Sequence, residues 1–407
     1  MNRFAHRLGA AGASVLVAGA LLAGLGAAAP PAGATSSGTI NIGFVCSCSG
    51  QLASSTAVAK PGYEAWQEYT NAHGGINGHK VNVIYMDDQQ NSGTGLSDVE
   101  TLINTDHVIA LVDVSNSDAA WATYAAQHNV PVVGGSTASE LFVTSPDFFS
   151  PGETLSAYFT NFVDAAKKVG AKSISELYCA EAVTCQEAVQ PLKTTAQKLN
   201  MPLVYITQIS ASQPNYTAQC LAAKQAGAQA LIIADSVQVV QSVMANCVQQ
   251  GYSPWEVSLD GAIAVSFTKA PGIENKLIGA EPNIPFFVNS TPATQTMDAA
   301  LKQYQPAVLK SPNYGEEVTQ QWVSGMLFDA AAKAGKVGVN GAPTSAEVLT
   351  GLYALHADTL GGMAPPLTYK KGVPNPINCW YWIRTQNGKF TTPYGISPVC
   401  VTPAPLG

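Results

Sequence analysis

The feature that most constrains this chain is an alternation. From Thr39 onward, short apolar and β-branched runs are separated by amphipathic patterns of helical period. Strands are expected at Thr39 to Cys46, Val81 to Met86, Val108 to Val112, Val130 to Val133, Ser173 to Tyr178, Leu203 to Ile209, Ala230 to Ala234, Val257 to Asp260 and Leu277 to Ala280. Helices fit between most of them, at Gly93 to Asn104, Ala119 to Gln127, Ser156 to Val169, Gln186 to Leu199, Thr217 to Ala226 and Val237 to Gly251. Runs without an exposed polar face are strands buried on both sides, and a helix between two of them is the crossover that a parallel neighbour requires. The pattern occurs twice, so the expected class is α/β, with two doubly wound, Rossmann-like lobes joined by a hinge. At 407 residues the chain is also too long for one comfortable core.

The lobes are not separated by a low-complexity linker. Pro-containing stretches at Phe149 to Glu153 and Ala280 to Pro285 read as crossings between them, and a long helix from Glu316 to Ala334 returns to the first lobe. The expected division is a first lobe of residues 38–152 and 283–362 and a second of 153–282 and 363–407.

One corner is distinctive. Asn71-Ala72-His73-Gly74-Gly75-Ile76-Asn77-Gly78-His79-Lys80 lies between the helical pattern Tyr63 to Tyr69 and the strand from Lys80 to Met86. Two glycines supply positive φ to stop the helix, Ile76 packs back on the body, and Asn77-Gly78 turns the chain into the strand. With the strand before it and Asp87-Asp88 after it, this corner resembles the opening of type I periplasmic solute-binding proteins, particularly the branched-chain amino-acid group. The resemblance continues through Val108 to Leu141, Tyr314 to Gly335, Leu367 to Gly372, Cys379 to Arg384 and Asn387 to Phe390. It implies two lobes that close like jaws on a small molecule and a closed complex that docks on the permease of an ABC importer. The ligand expected is an amino acid, an amide or a small carboxylate. The same fold serving as a sensor subunit is a rival reading, and an exported hydrolase a remoter one.

In open α/β sheets, ligands bind beyond the carboxyl ends of the strands. The loop after Val112 carries Asp113, Ser115, Asn116 and Ser117, and the loop after Val133 carries Gly134, Gly135, Ser136 and Thr137. Short hydroxyls and free N–H groups at helix N-termini can hold an anionic oxygen, although the same residues also serve as plain helix caps. The resemblance implies that Ser115, Ser136 and Thr137 hold a ligand carboxylate. The second lobe departs from the amino-acid pattern. Ala180 to Thr184 stands where an aromatic residue is usual, Asp235-Ser236 where a Tyr is usual, and the acid for a ligand ammonium falls on Asp260, with Asp235 and Glu181 as other candidates. Among aromatics, Trp121 is expected near the cleft, whereas Trp66 and Tyr69 are expected to be core, and Trp380 and Trp382 packed or at the hinge.

The first 34 residues read as an export signal: Arg3 and Arg7, an apolar stretch from Val15 to Ala29, and Ala32-Gly33-Ala34 for cleavage. Leu22-Ala23-Gly24-Leu25 resembles a lipobox without its Cys, so no lipid anchor is expected. The mature protein should be soluble in the periplasm, envelope or medium, and monomeric. A formal charge of −7, with 12% charged residues and no basic stripe, argues against nucleic acid as a partner.

Eight cysteines in an exported chain read as disulfides. Cys179 and Cys185 flank a short loop, Cys379 and Cys400 lie on a strand and its return, and Cys220 and Cys247 fall on successive helices of one sheet face. Cys46 and Cys48 remain, as two thiols or as a bonded pair. No G-x-S-x-G, H-E-x-x-H or G-x-G-x-x-G occurs, and His73 and His79 lack a third ligand nearby, so no catalytic motif, metal or cofactor is expected.

Overall fold

The computed structural model describes residues 38–258 and 261–402. The export signal and Asp260 therefore lie outside the described residues. Two sheets organise the chain. The first holds β1 (Ile40–Cys46), β2 (Val81–Asp87), β3 (Ala110–Val114), β4 (Val132–Gly135) and β5 (Phe148–Phe149), in the order β2-β1-β3-β4-β5. All neighbours in it are parallel. The second holds β6 (Ile174–Cys179), β7 (Leu203–Ile209), β8 (Ala230–Ala234), β9 (Trp255–Ser258), β10 (Leu277–Glu281), β11 (Cys379–Gln386), β12 (Lys389–Thr391) and β13 (Val399–Cys400). Its order is β12-β11-β10-β9-β8-β6-β7, with β13 paired to β11. From β6 to β10 the strands run parallel, and β11 pairs antiparallel with β10 and with the edge strand β12.

Each sheet is buried on both faces. The helices Ala59–Ala72 and Glu316–Ala334 cover one face of the first sheet around Phe44, Tyr63 and Trp66, and Val99, Leu111 and Phe142 form the other layer. Around the second sheet, Ile233, Met244 and Phe267 form one layer and Phe159, Trp380 and Trp382 the other. This is the two-sided cover that a parallel sheet needs, since neither face has a solvated alternative. The helix Glu316–Ala334 is buried along most of its length because it is sandwiched between neighbours.

Several boundaries differ from expectation by about one half-turn. The third strand is Ala110–Val114 and not Val108 to Val112, because Ala110 pairs with Ile42 and Val114 with Cys46 in β1, so the tertiary register overrides the local apolar run. The β9 strand begins at Trp255, two residues before the expected Val257, and the end expected at Asp260 lies outside the described residues. The helix expected from Ala119 is broken into a 3-10 turn, Asp118–Ala120, and a short helix, Ala122–Gln127. Trp121, expected near the cleft, is fully buried between them and stacks on Phe148. The corner matches its expected chemistry: Gly74, Gly75, Asn77 and Gly78 all have positive φ, and Ile76 is fully buried. Both ring nitrogens of His79 face carbonyl oxygens, of Gly38 and Gly338, so this His ties the corner to the chain after the return helix.

The chain passes three times between the sheets' regions. Asn283 donates to the Pro151 carbonyl at 3.0 Å, Tyr369 to Ser150 at 2.5 Å, and the Thr154 N–H to the Ile377 carbonyl at 2.9 Å. Met363, Leu367 and Tyr369 pack into the first core before the chain enters β11. The eight cysteines form Cys46–Cys48, Cys179–Cys185, Cys220–Cys247 and Cys379–Cys400.

Candidate functional site

In a doubly wound sheet the strand order reverses at one point, and the loops there diverge to leave a crevice. The reversal falls between β1 and β3 in the first sheet and between β6 and β8 in the second. A single cavity of about 170 Å³ is lined by residues that follow β3, β4, β6 and β8. That volume is smaller than the roughly 300 Å³ of a site for a drug-sized ligand.

The first wall is a closed network. Asp88, fully buried after β2, accepts from the Ser47 hydroxyl at 2.7 Å and from the Ser115 hydroxyl. The Ser47 oxygen in turn accepts the Asn116 N–H at 2.9 Å, and the Ser115 oxygen the Ser117 N–H at 2.9 Å. After β4, the Ser136 hydroxyl donates to Glu317 at 2.9 Å, and the side chain of Gln321 donates to the same oxygen at 2.8 Å. Ser139 donates to Asp118. Burial raises the Asp118 carboxyl above the ordinary range, and burial followed by the charge of Asp118 holds Asp113 well above it.

Glycines make the β4 loop possible. Gly134 and Gly135 have φ of 80° and 133°, and a Cβ on Gly135 would lie 1.9 Å from the Asp113 carbonyl oxygen. The Ser136 N–H donates to that same oxygen at 2.7 Å. The chain must therefore pass against β3 with no side chain between them before Ser136 can face the cavity.

The second wall is more sparsely tied. The Cys179–Cys185 disulfide closes the loop after β6 and lines the cavity with Ala182 and Thr184. Glu181 turns away from the cavity to accept from the Ser210 hydroxyl at 2.8 Å and the Ala211 N–H at 2.7 Å. At the end of β8, one oxygen of Asp235 accepts the Ser236 N–H at 2.7 Å, while the other is buried without a hydrogen-bond partner. Burial pushes the Asp235 carboxyl up to about 7, and the charge of Glu181 adds to the shift.

The walls meet through a short helix, Ala53–Thr56. From it the Ser55 oxygen accepts the Val237 N–H at 3.2 Å and the Ser54 oxygen the Gln238 N–H at 3.3 Å. These two groups open the helix Val237–Gln249, whose first N–H groups have no partner within the helix itself. The helix is thus capped from across the cavity.

Of the residues singled out from sequence, Ser115, Asn116, Ser136, Asp235 and Ser236 come together on the cavity lining. Ser117 and Thr137 do not line it. Thr137 is fully buried, 3.0 Å from the Tyr158 hydroxyl and accepting from Gln320 at 3.2 Å, so it braces the loop from behind. Sequence reasoning missed Asp118, Ser139, Glu317 and the Ser54-Ser55 pair. The adjacent acids Glu316-Glu317, opening an otherwise buried helix, were the one available signal for Glu317.

No curated protein sequence matches the chain. Solved structures match its fold. A branched-chain amino acid ABC transporter protein from Thermus thermophilus with bound valine aligns with a TM-score of 0.79 at 13% identity, covering 89% of this chain and 97% of that one. A fatty acid ABC transporter substrate-binding protein from Thermomonospora curvata aligns at 0.74 and 15% identity, covering 91% and 92%. An ABC transporter solute-binding protein from R. palustris in complex with benzoate aligns at 0.70 and 16% identity, covering 89% and 98%. The family described as periplasmic binding protein matches residues 39–389, and the chain belongs to that family.

Proposed function

We propose that the protein captures one small polar solute in the cavity between its two lobes and delivers it to the permease of an ABC importer. The observation that carries this reading is the cavity itself, which needs both sheets: Ser115 and Ser136 come from the first, Asp235 and Ser236 from the second. A ligand that touches both walls favours the closed arrangement only through contacts absent from the open one, which is the condition for a closure mechanism. The neighbours described as transporter proteins support the importer role. We place the lobe crossings at the three hydrogen-bonded passages around Pro151, Asn283 and Ile377.

Binding without turnover fits the lining. The lining holds no His, Lys or Arg, its two cysteines are tied in a disulfide, and the Ser115, Ser136 and Ser139 hydroxyls each donate to a carboxylate and not to a histidine base. No helix among the described residues is long and apolar enough to cross a membrane. We read the mature chain as an exported monomer without a lipid anchor. The test is a thermal-shift screen of the mature protein against small polar solutes, since a ligand that binds only the native state raises the melting temperature. A shift that disappears in Ser136→Ala supports capture at this cavity. No shift from any solute, with folded protein freed of co-purified ligand, overturns it.

A further inference from the structure

Charge is divided unevenly along this chain. Within the lobe limits expected from sequence, the first lobe carries 17 Asp and Glu against 6 Lys and Arg, and the second carries 10 against 12. Five of the second lobe's acids, Glu153, Glu176, Asp235, Glu256 and Glu281, are buried. Cations therefore outnumber the acids left at that lobe's surface, although the whole chain has a formal charge of −7. The ion pairs Lys60–Glu64, Lys302–Asp298 and Lys333–Asp329 all lie in the first lobe. A charge asymmetry of this size between two parts of a chain points to a polyanionic partner for the cationic part.

Three of these cations are held on aromatic rings. The Lys168 ammonium, at the end of the helix Leu155–Lys168, lies 4.0 Å from the ring centre of Tyr394 and 5.3 Å from that of Trp382. Lys276 and the Arg384 guanidinium lie 4.8 and 4.7 Å from the ring centre of Trp255. Trp382 and Arg384 are two residues apart on β11 and project from one face of it, so the two stacks adjoin. A ring face orients a cation without neutralising it. Among the described residues no carboxylate comes within ion-pair distance of Lys168, Lys276 or Arg384. A lysine in the last turn also complements its helix dipole, but Lys276 and Arg384 are not on helices and have no such role. The segment that carries the Tyr394 ring also leaves apolar surface open: Tyr394, Ile396 and Val399 are 50%, 38% and 36% exposed.

We infer that this edge of the second lobe rests on an anionic phospholipid membrane. The cations meet the headgroups, and Tyr394, Ile396 and Val399 enter the interface, where a ring with one polar end is favoured. The exposed apolar side chains select a lipid surface over a soluble polyanion, which has no apolar layer to receive them. The acidic first lobe is no obstacle at physiological salt, since a charge is felt over about 8 Å and the membrane meets only the nearest edge. Trp255, Lys276 and Arg384 stand at the start of β9, before β10 and opposite Ile278 near its start, whereas the cavity lies at the carboxyl ends of the strands, so the contact leaves the cavity clear. For an exported chain without a lipid anchor, this contact keeps the protein beside the membrane that carries its permease. The inference goes beyond solute capture and does not depend on what the cavity holds.

The experiment is vesicle co-sedimentation of the mature protein at low and at high salt, comparing vesicles of phosphatidylcholine with vesicles of equal parts phosphatidylcholine and phosphatidylglycerol. The expected result is binding to the anionic vesicles alone, weakened by salt. Lys168→Gln and Lys276→Gln should each weaken it about fivefold, the equivalent of about 1 kcal/mol for one cation near the surface. Lys302→Gln removes the same charge from the first lobe and should leave binding unchanged. None of these lysines is buried, so the variants should fold, with melting temperatures like that of the unaltered protein. Tyr394→Ser should reduce the binding that survives high salt. Absence of binding to the anionic vesicles at low salt overturns the inference, and that result needs no variant. An equal loss in Lys302→Gln and Lys168→Gln also overturns it, because net charge alone would then be acting. Soluble polyphosphate bound as tightly as the vesicles, with Tyr394→Ser silent in both, removes the membrane and puts a soluble polyanion in its place.

Discussion

The two walls of the cavity are built to opposite plans. On the first, the Ser47, Ser115, Ser136 and Ser139 hydroxyls are paired with buried carboxylates, and Asp88 and Glu317 are fixed in turn by backbone or amide donors. On the second, a disulfide and a single Asp235 carry the surface, and one Asp235 oxygen is unmatched. A densely bonded polar network is stiff, because moving one member strands another in a low-dielectric setting. A partly satisfied wall is where a ligand can contribute most. The first wall is thus a preformed seat, and the second a surface whose energetics a bound solute completes.

The comparison can be broken most severely at Gly135. Gly135→Ala places a Cβ against the Asp113 carbonyl in a backbone region that L residues avoid, and should cost roughly 3 kcal/mol or more in urea unfolding. A loss under about 1 kcal/mol would mean that the loop is not held as tightly to β3 as its geometry requires.

A pH series tests the second wall. Burial raises the carboxyls of Glu176 and Asp235 to about 7 and Glu256 to about 8, from ordinary values of 4.5, 3.8 and 4.5. With folded values above unfolded ones, the folded state holds more protons between about pH 4 and pH 8, so stability is full at the acid end and falls as pH rises. The slope is about 1.4 kcal/mol per pH unit for each group while it titrates. Melting temperature of the ligand-free protein should therefore decline across this window, and Asp235→Asn should flatten the decline up to about pH 7. A melting temperature that climbs with pH would contradict the burial of these acids.

Ser115→Ala sharpens the contrast from the other side. It leaves one oxygen of buried Asp88 without its hydroxyl donor, at a cost of about 1 to 3 kcal/mol, while Thr184→Ala, on the second wall, should cost under about 0.5 kcal/mol in the same denaturation assay. Equal costs would erase the distinction between the walls. The smallest effect is expected at the seam. Ser55→Ala removes the acceptor that caps Val237 across the cavity and should weaken closure by about 0.5 to 1 kcal/mol, read as a several-fold loss of ligand affinity with little change in overall stability.

Much of the architecture is legible in the sequence because it is written locally. Apolar runs give strands buried on two faces, glycines and Asn77-Gly78 give the corner, and cysteines on neighbouring elements sit where short bridges reach. The site was legible only in part. Strand-end loops could be located, which brought Ser115, Asn116, Ser136, Asp235 and Ser236 to attention, and they do share one cavity. Composition alone could not say that Thr137 faces inward or that Trp121 is core, since one residue's shift in register reverses the face a side chain occupies.

The sequence by itself determined that this is an α/β chain of two parallel, doubly wound lobes, because period and turn chemistry act between residues a few positions apart. Only the tertiary structure decided which groups the hydroxyls meet. Ser136 meets Glu317 across 181 positions and Ser55 meets Val237 across 182. A hydrogen bond is short and directional, so it depends on how two distant elements are finally set against each other, and no periodicity in the chain records that.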